Sequence, residues 1–159
     1  MSWDTFFSAE VGAAAALAGL IFVGITINLQ RILALPAILN RAFQALLILL
    51  AVLGIESILL VPGLNSTDAG ASVVAVGLLL TAALAGFEWI SWRITDPKYR
   101  RLLLQHTLEI QLPPAMILLG GIFLLAGNSW ALYWFLPATL VSFLLAIIEA
   151  WVITVEILR

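Results

Sequence analysis

The chain of 159 residues is 64% hydrophobic and only 10% charged, with a net charge of −2 and no cysteine. Soluble domains carry about a quarter of their residues as charged side chains, so this composition excludes an ordinary soluble domain and indicates a membrane protein. The missing cysteines exclude disulfides, thiol catalysis and thiolate metal sites, and the seven Lys and Arg residues form no patch that could track a nucleic acid.

The apolar residues occur in long uniform runs, which favour helices. Only helices and closed barrels satisfy every backbone polar group in lipid, and barrel strands alternate between apolar and polar residues. A helical span needs about 20 apolar residues. We therefore predict an all-α polytopic bundle, a single membrane domain over residues 1–159 with five transmembrane helices. The predicted spans lie at about 8–30, 41–61, 69–91, 102–126 and 130–157.

The first span contains the uncharged run VGAAAALAGLIFVGITINLQ at residues 11–30. A secretory signal begins with basic residues and ends in a cleavage site. The preceding MSWDTFFSAE instead carries Asp4 and Glu10 and no Lys or Arg, so we expect an uncleaved helix. Glu10 is expected near the start of this helix, where a carboxylate stabilises the first turn through the helix dipole.

A stripe of small residues runs along the first span. Gly12, Ala15, Ala16 and Gly19 share one face at the spacing that lets two membrane helices approach closely. The stripe predicts a helix-packing interface, either with another helix of this chain or with another subunit. The third span repeats this spacing in two pairs, Ala71 with Ala75 and Ala82 with Gly86.

Two carboxylates interrupt the second and third spans. Glu56 has no Lys or Arg on its side of the predicted membrane, so we expect it to be neutral and hydrogen-bonded, or to face water or a cation. Glu88 lies just before the basic loop WRITDPKYRR, and we expect its side chain to extend toward Arg93 and the headgroups.

The fourth span contains the polar segment QHTLEIQLPP. His106 and Glu109 are three residues apart and so share one helix face. Pro113 and Pro114 lack N–H groups, which frees the carbonyls of Glu109 and Ile110 and predicts a kink. This composition is typical of a proton or cation site beside a broken helix, and equally of a kinked helix whose polar face meets its neighbours.

The uncharged run from Ile110 to Ile148 is too long for one span, so the chain must fold back, and GNS at 127–129 is the natural turn. An alternative places residues 98–111 as an amphipathic helix on the inner surface. That arrangement leaves residues 115–126 too short to cross the bilayer.

The last span carries two carboxylates. Glu149 lies nearest the predicted midplane and is a functional candidate for that reason. Glu156 lies at the inner boundary, where we expect it to pair with Arg159.

Five spans place every basic residue on one side of the membrane. The positive-inside rule then puts the N-terminus outside and the C-terminus in the cytoplasm. These basic residues are Arg31, Arg41, Arg93, Lys98, Arg100, Arg101 and Arg159.

The segment FFSAEVGAAAALAGLIFVGITINLQRIL resembles the N-terminus of small multi-pass membrane proteins of the bacterial inner membrane. The resemblance covers the Ala/Gly-rich first span and implies a location in the plasma membrane of a bacterium. It carries no assigned activity, cofactor or catalytic residue to this chain.

The sequence therefore predicts no enzyme, no cofactor and no metal site, since the single histidine lacks the partners that such sites need. We expect a non-enzymatic membrane subunit or modulator that acts by helix packing in the lipid bilayer, with its own copies or with partner membrane proteins. The alternative is an oligomeric proton or cation channel or transporter. Its pathway candidates are Glu149, Glu109, His106, Glu56, Glu10 and Glu88.

Overall fold

The structure of the chain, a computed structural model, describes residues 2–128 and 130–158. Within those ranges the chain is helical and contains no strand. The helices are α1 (Trp3–Ile27), α2 (Leu29–Leu33), α3 (Pro36–Leu59), α4 (Ser66–Ile94), α5 (Arg100–Ile110), α6 (Leu112–Leu125) and α7 (Phe135–Leu158), with 3₁₀ turns at Pro97–Tyr99 and Ala131–Trp134.

Five helices of the described chain are long and apolar enough to cross a membrane, counting α5 and α6 as one. This result confirms the predicted all-α class and the number of long apolar helices. α1 begins five residues earlier than the predicted span at 8–30, because Ser2 accepts a hydrogen bond from the Thr5 N–H as its N-cap. Glu10 therefore lies two turns inside α1, and Asp4 occupies the first turn in its place.

The predicted turn after α6 is formed by a glycine in the left-handed region. Gly127 has φ 71°, its N–H donates to the Leu124 carbonyl, and the Asn128 N–H donates to the Phe123 carbonyl over 3.1 Å. This pair of bonds is the Schellman arrangement that satisfies the last carbonyls of a helix. The third residue of the predicted turn, Ser129, lies outside the described residues.

The fourth apolar segment is interrupted at Gln111, directly before the two prolines. α5 ends at Ile110, and α6 begins at Leu112 with Pro113 near its first turn, where a missing N–H is tolerated. Pro113 and Pro114 are both buried against the bundle.

The long helices pack in alternating directions. One core cluster joins Phe7 of α1 to Ile55, Ala69 and Phe135. A second cluster joins the opposite ends of α1, α3 and α7, and its members are Ile25, Ile32, Ile38, Leu39, Ala42 and Ile153. α4 and α5 reach the same end, because Gln44 bonds Glu88 and His106 bonds Glu149. We call it the basic end, after the basic residues of the segments that meet there: Arg31, Arg41, Arg93, Lys98, Arg100 and Arg101.

The helices α4 and α6 approach each other closely, and glycines make the contact. A methyl group added at Gly70 would lie 2.6 Å from the backbone nitrogen of Leu125, and one at Gly121 would lie 2.9 Å from Val74 Cγ2. Gly77 meets Leu118 at the same short range. Glycine is required here because any side chain would separate the two helices.

The small-residue stripe of α1 faces away from the rest of the chain. Gly12, Ala15, Ala16 and Gly19 are all exposed, and a methyl group added at either glycine would meet nothing within 4 Å. The packed face of α1 lies on its opposite side and consists of Phe7, Ala14 and Ile21. Among the described residues, no other helix of the chain packs against the stripe, unlike the first of the two predicted alternatives.

Candidate functional site: a buried polar cluster at the basic end

The centre of the site is an ion pair between α3 and α7. The Arg41 Nε donates to Glu149 Oε2 over 2.6 Å, and its Nη2 donates to Glu149 Oε1 over 3.0 Å. This two-pronged geometry matches the planar guanidinium to the planar carboxylate. Glu149 is buried, and about a third of the Arg41 side chain is exposed.

His106 of α5 lies between two carboxylates. Its Nε2 is 3.1 Å from Glu149 Oε1, and its Nδ1 is 3.3 Å from Glu88 Oε1. The contact from Nε2 to Glu149 has hydrogen-bond geometry, and the contact from Nδ1 to Glu88 is within ion-pair distance. Carboxylates on both sides of the ring favour the positively charged imidazolium form.

Glu88 of α4 is held by neutral donors as well. The Gln44 Nε2 donates to Glu88 Oε1 over 2.7 Å, and the Thr107 hydroxyl donates to Oε2 over 2.5 Å. The expectation that Glu88 extends toward Arg93 is wrong, because its side chain is buried and fully engaged. Arg93 instead lies over the Trp89 ring, 5.0 Å from its centre.

These residues form one connected set that we call the basic-end cluster: Arg41, Gln44, Glu88, His106, Thr107 and Glu149. The cluster ties α3, α4, α5 and α7 together. With His106 protonated, two positive charges face two negative charges, so the buried set is electrically balanced. Balanced pairing is what permits charges to stay buried in an apolar bundle.

Glu109 is not part of this cluster, although it shares a helix with His106. Its side chain is exposed and lines an open cavity of about 440 Å³ bounded by α3, α4 and α5. Glu88 and His106 form part of the wall of the same cavity. The structure thus places three of the predicted pathway residues around one cavity, at different depths.

A second polar site lies toward the other end of the bundle. Glu56 of α3 is only 1% exposed, and its Oε1 accepts from the Thr139 hydroxyl of α7 over 2.6 Å. Its Oε2 and the Oε2 of Glu10 are buried without a hydrogen-bond partner among the described residues. The two carboxyl groups are near enough to interact electrostatically.

An apolar layer separates the two polar sites. Gln44 and Glu56 are roughly 18 Å apart along α3 at the 1.5 Å rise per residue of a helix. The buried residues between them include Ile48, Leu49 and Val52. On α7 the layer includes the buried Ala146. The Ser142 hydroxyl beside it donates a hydrogen bond to the Ala138 carbonyl of the same helix.

Sequence reasoning missed three members of the basic-end cluster. Arg41 was expected only as one of the basic residues on one side of the membrane, at the start of the span predicted at 41–61. α3 instead begins at Pro36 and places Arg41 inside the helix. Gln44 and Thr107 are neutral and carry no signal in a search for charges. A helical wheel of α3 could have found the first two, because Arg41 and Gln44 are three residues apart and share a face.

Among the described residues, no group of three or more His, Asp or Glu side chains is arranged to hold a metal ion. The expected pair of Glu156 and Arg159 cannot be placed, because Arg159 and the side chain of Glu156 lie outside the described residues. Comparison with protein-family models, with curated proteins and with solved structures gives no match.

Proposed function

We propose that the chain is a non-enzymatic integral membrane subunit that binds a helix of another subunit through the outward face of α1. The carrying observation is the orientation of Gly12, Ala15, Ala16 and Gly19, which point away from the bundle. α1 is also the least covered of the five long helices, with 11% of its most apolar segment buried against 50% for α3.

The glycines of this face support the proposal because they make α1 itself less stable and serve no contact within the described chain. A glycine inside a helix is less favourable than alanine by about 0.5–1 kcal/mol. Gly12 and Gly19 approach no neighbour within the described chain. The same residue type makes the closest contact between α4 and α6, so close glycine packing is already how this protein joins helices.

The charge pattern supports an orientation for the subunit. The described basic residues gather at one end of the bundle, and the positive-inside rule assigns that end to the cytoplasm. We propose that the N-terminus lies outside, the C-terminus lies in the cytoplasm, and the membrane is the inner membrane of a bacterium.

Replacing Gly19 with leucine is expected to weaken association by roughly tenfold or more, because the added side chain holds the partner helix away. The measurement is the size and composition of the complex recovered by gentle detergent extraction. The composition of the recovered complex shows whether the partner is a second copy of this chain or a different membrane protein.

Gly86→Leu is the matched control, since Gly86 is also a glycine without neighbours but belongs to the outward stripe of α4. Release by Gly19→Leu alone supports the α1 face. A wild-type chain recovered as a monomer without partners would contradict the proposal.

A second candidate function, an oligomeric proton or cation conduit, is favoured by one observation. Glu56 and Glu10 each bury a carboxyl oxygen that has no hydrogen-bond partner among the described residues. Such carboxyls are typical of proton-carrying positions in membrane proteins. The apolar layer at Ile48 and Leu49 interrupts a proton or cation path through one chain. This candidate therefore requires a path between subunits.

For the conduit, purified protein in sealed liposomes is expected to dissipate a pH or cation gradient, and Glu56→Gln is expected to reduce the leak to that of empty liposomes. Asp4→Asn also replaces a carboxyl group by an amide, at an exposed position of α1, and should leave the leak unchanged. Liposomes that hold the gradient in the presence of the wild-type protein would exclude the conduit.

A further inference from the structure

The cavity at the basic end has polar groups that the basic-end cluster does not use. Asn40 on α3, Ser91 on α4, and Gln105 and Glu109 on α5 all line it. Their side chains make no hydrogen bond or ion pair with another described residue. These four groups are available to bind a molecule that enters the cavity.

One carboxylate of the cavity wall lies outside the ion pairs of the basic-end cluster. Within the basic-end cluster, Arg41 and protonated His106 compensate Glu88 and Glu149. Glu109 makes no ion pair with a described residue, so it is the carboxylate of the wall that remains available as a counter-ion. Asn40, Gln105 and Ser91 add neutral oxygen atoms that accept hydrogen bonds.

We propose that this cavity binds a primary ammonium group, with Glu109 as its counter-ion and the oxygens of Asn40, Gln105 and Ser91 as further acceptors. A primary ammonium carries one positive charge and three N–H donors, which matches one carboxylate surrounded by neutral acceptors. The proposal does not depend on the subunit function, because the outward face of α1 takes no part in it.

Other ligand classes fit the cavity less well. An anion would meet the carboxylate of Glu109, while the Arg41 guanidinium and the His106 nitrogens in the wall already face Glu149 and Glu88. The open cavity, at about 440 Å³, is far larger than the roughly 10–15 Å³ of the same measure that one water needs, so a dehydrated metal ion would leave most of it unfilled. The aliphatic residues Ala37, Leu102 and Leu103 in the wall suit a short carbon chain attached to the ammonium.

An ammonium of this kind has two sources, the ethanolamine headgroup of a phospholipid and a water-soluble amine. The test uses the full chain in nanodiscs of phosphatidylcholine, which has no primary ammonium. Ethylammonium chloride is titrated against sodium chloride at constant ionic strength, and binding is followed by NMR line broadening of isotope-labelled ethylammonium. Ethanol serves as the neutral analogue.

Saturable binding of ethylammonium is expected, with no binding of ethanol. Glu109→Gln is expected to weaken the binding by about tenfold or more, because it removes a charge-assisted hydrogen bond. Asp4→Asn, at an exposed position remote from the cavity, should bind as the wild type does. Since Glu109 is exposed and unbonded, its variant should also unfold at the same denaturant concentration as the wild type.

Nanodiscs containing phosphatidylethanolamine separate the two sources. If the lipid headgroup is the ligand, these nanodiscs suppress ethylammonium binding to the wild type. If a soluble amine is the ligand, binding is the same in both lipids. Absence of saturable binding, equal binding of ethanol, or unchanged binding by Glu109→Gln would each overturn the proposal.

Discussion

Glu149→Ala is expected to lower the free energy of unfolding by about 3 kcal/mol, the scale observed when one partner of a buried ion pair is removed. The substitution takes the carboxylate away from Arg41 and from one nitrogen of His106. The buried cluster then holds two positive groups, Arg41 and His106, and one negative group, Glu88, so one positive charge is no longer balanced within it. The measurement is equilibrium unfolding in mixed micelles titrated with a denaturing detergent.

The control for this prediction is the double variant Arg41→Met with Glu149→Leu. Replacing both partners of a buried pair by apolar side chains of similar size leaves no uncompensated charge between them, so the double variant should be more stable than Glu149→Ala. If Glu149→Ala unfolds at the same detergent midpoint as the wild type, the ion pair does not contribute to stability. The cluster then does not hold the helices together.

Gly70→Ala is expected to destabilise the chain by about 1–3 kcal/mol through overpacking between α4 and α6. The added methyl group would lie 2.6 Å from the Leu125 backbone nitrogen and 3.0 Å from the Gly121 carbonyl oxygen. Both obstacles are backbone atoms, so no side chain can rotate away and the helices must separate. The same unfolding titration measures the effect.

Gly86→Ala on the same helix is the matched comparison. A methyl group there meets nothing within 4 Å, so the substitution should be neutral or stabilise α4 by a few tenths of a kcal/mol up to about 1 kcal/mol. Equal destabilisation by the two substitutions would show that close packing is not the cause.

The helices themselves were largely predictable from the sequence. Uniform apolar runs predicted five long helices because lipid leaves the backbone no alternative partner for its N–H and C=O groups. The position of the break near Gln111 followed from the missing N–H groups of Pro113 and Pro114. These features depend on local chemistry, which the sequence displays directly.

The partners of the charged residues were not predictable in the same way. Glu88 was expected to reach a residue five positions along its own helix, yet it bonds Gln44 and Thr107 on two other helices. The pairing of Arg41 with Glu149 joins residues separated by most of the chain. Such pairs depend on which helices become neighbours and on their rotation.

The small residues show the same division. Every Gly-rich and Ala-rich stripe in the sequence predicts close packing, and spacing alone does not distinguish the stripes. The structure assigns Gly70, Gly77 and Gly121 to contacts within the chain and leaves Gly12 and Gly19 outside.

By itself, the sequence determined that this protein is a set of long apolar helices and that the described basic residues lie at one end. Both follow from the solvation of backbone groups and of charges, which is a local property. The tertiary structure alone decided which carboxylates are paired, which one faces the cavity, and which face of α1 remains uncovered. Those outcomes depend on the rotation and neighbours of each helix, and in an apolar bundle a few close contacts and ion pairs determine both.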